Sequence, residues 1–166
     1  GIIGSNEGNG HPISFSSIFN GYSPKYLKKY CKFALIKEYL PKFHKNKKSN
    51  IIAGAKVNYI WTQSKTNSYK ISKITNIKNI CNSLEEMSTK VDAVILARDD
   101  IKNHLKMSKI FLEKKIPIFI DKLIVQDPSS LKKFQTISNN TLFMSCSSAR
   151  YTTQILNISK NKNDIK

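Results

Sequence analysis

Short apolar segments alternate with stretches of helical periodicity along most of the chain, and this alternation restricts the fold more than any other feature. Val91-Asp-Ala-Val-Ile-Leu-Ala97 is a nearly continuous apolar run, as expected for a central parallel strand covered on both faces. Ile116 to Ile120 and Leu142 to Cys146 read the same way, Ala55 to Trp61 alternates apolar and polar residues, and a shorter strand is expected at Ile77 to Ile80. Gly1-Ile-Ile3 is all that represents a first strand.

The intervening segments read as helices. Pro12 suits a first helical position, and Phe15, Ile18, Phe19 and Tyr22 form an apolar stripe at i, i+3, i+4 and i+7, ended by Asn20-Gly21 and Pro24. A short helix is expected from about Asn67 to Lys73, and Ser83 to Glu86 is a capping box. After Arg98-Asp99-Asp100, where either aspartate suits a helix cap, Ile101, His104, Leu105, Ser108, Phe111 and Leu112 share one face. Asp127 and Pro128 open a further helix with Leu131, Phe134 and Ile137 toward the core. Residues 25–50 break the rhythm and read as an irregular insertion, with Tyr26, Tyr30, Phe33 and Tyr39 as a satellite core. The end after Ile158 is expected to fray.

About six such alternations predict a doubly wound parallel sheet, a Rossmann-like α/β fold, with one domain over residues 1–150 and a tail or the start of a second domain at 151–166. A length of 166 residues with 40% hydrophobic content suits one domain. No apolar run approaches the ~20 residues of a membrane span, and no leader opens the chain, so a cytoplasmic protein is expected. The brief first strand suggests a fragment. Cys31, Cys81 and Cys146 are read as reduced and mostly buried thiols, and the three histidines and three cysteines show no metal-ligand spacing.

The net charge of +17 raises the question of nucleic acid. The excess is almost entirely lysine, with Arg98 and Arg150 the only arginines, whereas phosphate and base recognition favour the arginine fork. The densest group, Lys42, Lys45, Lys47 and Lys48 with His44, reads as a solvated loop surface. A basic nucleic-acid binder is therefore the least favoured alternative.

In such a sheet, ligands bind outside the carboxyl ends of the strands. The segments expected there are Gly4 to His11, Trp61 to Lys65, Arg98 to Asp100, and Asp121-Lys122. Gly4, Asn6, Gly8, Gly10 and His11 form a glycine-rich turn suited to a dinucleotide pyrophosphate, with the following helix directing its amides at the phosphates, although the spacing is G-x-x-x-G-x-G rather than G-x-G-x-x-G. No carboxylate follows Trp61, which leans the cofactor toward NADP over NAD, with Ser64 and Lys65 as phosphate contacts. Lys122, at the end of a buried strand, needs a partner or a shifted pKa. His104, on an apolar helix face, reads equally as a core residue.

With the opening glycine turn and His11, Leu96-Ala-Arg-Asp-Asp100 followed by Asn103-His104, the Asp121-Lys122 pair, and Ser145 to Tyr151, the chain resembles the N-terminal domain of the Gfo/Idh/MocA family of glucose-fructose oxidoreductases and inositol dehydrogenases. The resemblance implies an NAD- or NADP-dependent oxidoreductase acting on sugar and cyclitol hydroxyls. It makes Lys122 the active-site lysine, puts Asp121 in place of the family's acidic residue, and has Arg98, Asp99 and His104 line the cofactor channel. Leu123 stands where the family has proline, and Arg98-Asp99 replaces a Thr-Pro turn. Family members carry a second domain with the catalytic Asp and His and most of the sugar pocket, so homo-oligomers are an expectation for a full-length protein only. A catalytically silent dinucleotide-binding module, or a truncated remnant, is the alternative.

Overall fold

Six strands form one parallel sheet in the order β3-β2-β1-β4-β5-β6. They are β1 (Ile2–Ile3), β2 (Tyr59–Trp61), β3 (Asn79–Ile80), β4 (Val94–Leu96), β5 (Ile118–Ile120) and β6 (Phe143–Ser145). This computed structural model describes residues 1–45 and 51–160. The helices are α1 (His11–Asn20), α2 (Pro24–Tyr30), α3 (Ala34–His44), α4 (Lys65–Thr75), α5 (Leu84–Ser88), α6 (His104–Glu113), α7 (Pro128–Ile137) and α8 (Thr153–Lys160). Ile2 lies opposite both Ile60 of β2 and Ile95 of β4, so the strand order reverses at β1. The reversal opens a crevice at the carboxyl ends of β1 and β4, where doubly wound sheets bind ligands.

Period-two alternation divides the core between the two faces. Ile2 and Ile60 meet Ile13 of α1, Leu27 of α2, Ile36 and Leu40 of α3, and Ile71 and Ile74 of α4. Ile3, Val94, Leu96, Ile118 and Ile120 point the other way, onto Met87 of α5, Phe111 and Leu112 of α6 and Phe134 of α7. The ladders are shorter than the apolar runs that announce them. At β2 the reason is visible: the Asn20 side chain accepts from Val57 N at 3.0 Å and donates to Val57 O at 2.7 Å, so that backbone is satisfied before the strand begins. Asn20 also donates to Thr75 O at 3.1 Å, which ties the end of α1 to the end of α4.

The structure corrects three readings. Residues 24–44 are two helices rather than irregular chain, and their rings Tyr26, Tyr30, Phe33 and Tyr39 join the main core on the α1 side instead of a separate satellite. Lys42 is helical and paired with Glu38 at 2.9 Å, and His44 is buried; Lys47 and Lys48 lie outside the described residues, as do residues 161–166 of the expected frayed end. On α1 the buried residues are Pro12, Ile13, Ser16 and Ser17, while Phe15, Ile18 and Phe19 are half-buried. Small side chains let this helix approach its neighbours closely, and the Ser17 hydroxyl donates a hydrogen bond to Ile13 O at 2.7 Å.

The caps expected at Ser83 and Asp127 are present, whereas neither Asp99 nor Asp100 caps the helix after β4, because their carboxylates are taken by the side chains of Asn6, Arg98 and Asn103. Ser83 Oγ accepts from Glu86 N at 3.0 Å, although the Glu86 carboxylate reaches Asn82 N (2.7 Å), one residue before the usual partner. Asp127 Oδ1 accepts from Ser130 N at 2.8 Å. Leu131, expected in the core, is exposed. Replacing Asn20 by Ala strands the Val57 backbone groups, so we expect a loss on the order of 2–3 kcal/mol in unfolding free energy. Urea unfolding should show a lower midpoint at unchanged slope.

Candidate functional site

The turn between β1 and α1 uses its glycines in different ways. A Cβ on Gly4 would lie 2.3 Å from Pro12 Cγ, so Gly4 allows the helix to start against the strand end. A Cβ on Gly10 would lie 2.3 Å from Ile36 Cδ1, so Gly10 makes room for α3. Only Gly8 is free of such packing: its φ is +75° and no atom lies within 4 Å of its missing Cβ, which leaves a bare turn tip. The first helical amides differ from expectation. His11 N donates to Asn9 Oδ1 at 2.7 Å and Pro12 has no N–H, so backbone for a phosphate comes from the turn rather than from these two positions.

A buried arginine fixes the turn to the end of β4. Arg98 is 3% exposed, donates from Nε to Asp100 Oδ1 at 2.6 Å and from Nη1 to Ser5 O at 2.9 Å, and makes a second contact to Asp100 through Nη2. Asn103 Nδ2 donates to Asp100 Oδ2 at 2.5 Å. Burial pushes the Asp100 carboxyl up, but the Arg98 and Asn103 hydrogen bonds outweigh it and hold the group below its usual range. Beside this, Asn6 Nδ2 donates to Asp99 Oδ1 at 2.5 Å, linking the turn to β4 again. His104 is 0% exposed, with Nε2 2.8 Å from Arg98 O and Nδ1 3.3 Å from Ile124 O. Arg98 and His104 therefore do not line a channel as the resemblance implied. Their polar atoms are engaged within the protein, and they brace the residues around the crevice.

The second cluster joins residues 110 apart in sequence. His11 Nδ1 contacts Asp121 Oδ2, and Asp121 Oδ1 accepts from Lys122 N at 2.9 Å. Asp121 is 2% exposed, His11 is half-buried and Lys122 is exposed, so burial makes no demand for a Lys122 partner. The Asp121 hydrogen bond raises the His11 pKa against the effect of burial, with Lys122 opposing and Asp99 assisting. An imidazole whose pKa is raised, a buried carboxylate and a solvent-exposed lysine thus meet beside the glycine turn. Sequence reasoning named all three and paired Asp121 with Lys122, but it missed the contact with His11, because that depends on strand order.

At the end of β2, Trp61 Nε1 donates to Asn82 O at 3.3 Å, and Ser64 Oγ accepts from Asn67 N at 3.3 Å as the N-cap of α4. Lys65 is exposed. A cavity of about 330 Å³ lies between the turn, α1, α4 and the α2–α3 connection. A larger concavity of about 660 Å³ is lined by Gly1, Asn58 and Ala93, residues that precede β1, β2 and β4, at the edge opposite to where this architecture binds ligands. Among the described residues, no group of three His, Cys, Asp or Glu side chains is placed to hold a metal ion, and no helix is long and apolar enough to cross a membrane.

No protein-family model matches the sequence, and no curated protein matches it. Solved structures do match in fold. Myo-inositol 2-dehydrogenase from Lactobacillus plantarum aligns with a TM-score of 0.63 and 14% identity over 99% of this chain and 41% of that one. Scyllo-inositol dehydrogenase from Lactobacillus casei, with bound NAD(H) and scyllo-inositol, gives a TM-score of 0.56 and 15% identity over 96% of this chain and 40% of that one. Biliverdin reductase from Synechocystis, in complex with biliverdin and NADP+, gives a TM-score of 0.55 and 15% identity over 64% of this chain and 34% of that one. The chain thus spans about a third to two fifths of their length and shares the Rossmann-like fold of that part.

The His11–Asp121 pair sets a pH dependence. Because the folded-state His11 pKa is raised, its contribution to stability is complete below the unfolded value of ~6.5 and is lost as pH rises through the folded value. Asp121→Asn should remove that dependence and lower the His11 midpoint, which proton NMR titration of the imidazole and urea unfolding across pH 5 to 9 will read.

Proposed function

We propose that this chain is the cofactor-binding domain of an NAD(P)-dependent oxidoreductase of the Gfo/Idh/MocA type, acting on a sugar-like alcohol or ketone. The observation that carries this reading is the meeting of Lys122 with the His11–Asp121 pair beside the glycine turn, at the carboxyl edge of a parallel sheet whose order reverses at β1. The turn fits a dinucleotide: Gly8 leaves its tip bare for backbone approach, and no carboxylate follows β2 to repel a phosphate on the adenosine ribose. The inositol dehydrogenases that share the fold support a cyclitol or sugar substrate.

A nicotinamide bound in the crevice supplies the hydride acceptor or donor at its C4. The chain's own residues do the rest. Lys122 faces solvent at the strand end, where its ammonium polarises the substrate oxygen or relays its proton. Asp121 fixes the lysine backbone through the Lys122 N–H. His11, clamped by the same carboxylate, places a second titratable group next to the lysine. Arg98 and His104 act indirectly, by holding the turn and the β4 end in register.

Titration with NADPH and NADH tests the first step; failure of both to bind below millimolar concentration removes the cofactor role. Ser64→Asp keeps an N-cap, since aspartate caps as well as serine, but sets a carboxylate at the end of β2. It should weaken NADPH about tenfold, or ~1.4 kcal/mol, and leave NADH unchanged. An unaltered NADPH to NADH ratio overturns the assignment of the ribose site. Cofactor binding without turnover on a panel of sugars and cyclitols identifies the chain as a binding module.

A further inference from the structure

The cavity of about 330 Å³ beside the turn is built partly by the segment between α1 and β2. Tyr30, Lys32 and Phe33, from the end of α2 and the connection to α3, form one wall; Asn67 and Lys70 of α4 form the facing one. The floor is apolar, with Ile13, Ile71 and Ile74. It shares Asn6, Gly8 and Asn9 of the glycine turn with the crevice, but none of Trp61, Arg98, Asp99, Asp121 or Lys122 lines it, so it lies on the other side of the turn from the His11–Asp121 pair.

We propose that this cavity is a phosphate-recognition site for a small phosphorylated molecule that carries a flat or apolar group. Lys32 and Lys70 both line it, and among the described residues neither has a carboxylate partner. Two separate ammonium groups suit a phosphomonoester dianion, on which lysine acts as a point charge. Lys70 is half-buried, which strengthens its field relative to a fully solvated lysine. Further positive charge flanks the wall, with Lys29 Nζ 5.3 Å from the Tyr30 ring centre. The Asn67 amide adds a donor, and the Tyr30 and Phe33 rings with the isoleucine floor suit the flat part of a ligand. Glu7 is the one carboxylate on the lining and is exposed, so it opposes the anion from the solvent side.

Two sources offer this chemistry: the ribose phosphate of a dinucleotide lying over the turn, or a free phosphorylated metabolite. Isothermal titration with inorganic phosphate, adenosine 2′-monophosphate, NADPH and NADH separates them. The Lys32→Gln/Lys70→Gln variant should bind phosphate and adenosine 2′-monophosphate at least tenfold more weakly, while Lys106→Gln/Lys133→Gln, with the same charge loss on the opposite face, should bind them normally. Glu7→Gln should tighten both two- to threefold. Competition between phosphate and NADPH, with loss of the NADPH preference in the lysine variant, assigns the site to the cofactor; phosphate binding alongside saturating NADPH assigns it to a separate ligand. NADH binding is unchanged in every case, so loss of the cofactor reading and loss of this one are distinguishable. The proposal is overturned if neither phosphate probe binds below 10 mM, or if the two lysine pairs give the same affinity. Amide shifts at Asn67 and Lys70 during phosphate titration of the wild-type chain provide the same decision without a variant, and their absence is likewise decisive.

Discussion

A buried guanidinium must spend its donors inside the protein, and the way Arg98 spends them determines the geometry of the carboxyl edge. Its contacts to Asp100 and to Ser5 O hold the end of β4 against the glycine turn at the point where the strand order reverses. Its own carbonyl faces the ring of His104, which is in turn placed against Ile124 O beyond β5. The turn, the β4 end and the β5 exit are therefore one polar assembly over two apolar faces. The position of Asp121, and with it Lys122, is fixed relative to His11 by strand pairing below and by this assembly beside it.

Asp99, Asp100 and Asp121 at this edge are each matched by a local donor, so that they need not exclude an anion. Asp100 is matched by Arg98, and Asp121 by His11. Burial pushes the Asp99 carboxyl up, but hydrogen bonds from Asn6 and Asn9, assisted by His11, outweigh it and hold the group below its usual range. In a chain of net charge +17, most of the described lysines are exposed and scattered over helices and loops, whereas these carboxylates are grouped at the crevice and tied to particular donors. Net charge therefore says little about the site. What matters is which charges are matched locally.

The sheet was legible because parallel strands buried on both faces leave dense apolar runs, and Val91 to Ala97 and Ile116 to Ile120 leave little room for another reading. The two helices of the insertion were hidden for physical reasons. In α2 only Leu27 is buried among lysines and tyrosines, so that helix shows no clear apolar stripe; α3 does carry one, Ile36, Tyr39, Leu40 and Phe43 at i, i+3, i+4 and i+7, but Pro41 in its interior argues locally against a helix. Their helicity depends on contacts with α1 and α4 that no local window contains. The site was legible as a set of strand ends but not as pairs. Whether Arg98 and His104 face a ligand or the interior depends on burial, and a motif cannot report that. Asn20 drew attention only as a turn residue, yet its side chain joins three elements.

The insertion is braced at several points, which bears on what its cavity can do. Ser23 N donates to Ile74 O at 2.7 Å, Ile52 N to Ile18 O at 3.0 Å, and Tyr39 Oη to Ser14 Oγ at 2.5 Å. Phe33 and Ile36 fill the space left by the absent side chain of Gly10, so the α2–α3 connection is seated on the glycine turn itself. A lysine on an unanchored loop loses much of its attraction for an anion to the entropy of ordering the loop. Lys32 sits on a segment ordered by packing, and Lys70 on a helix tied to it by the packing of α2 against α4, with the Tyr30 and Tyr69 rings edge to face at 6.3 Å. The backbone that carries both lysines is therefore ordered before any ligand arrives, and binding between Lys32 and Lys70 costs the rotamer freedom of the two side chains and the freedom of the ligand, but not the ordering of a loop.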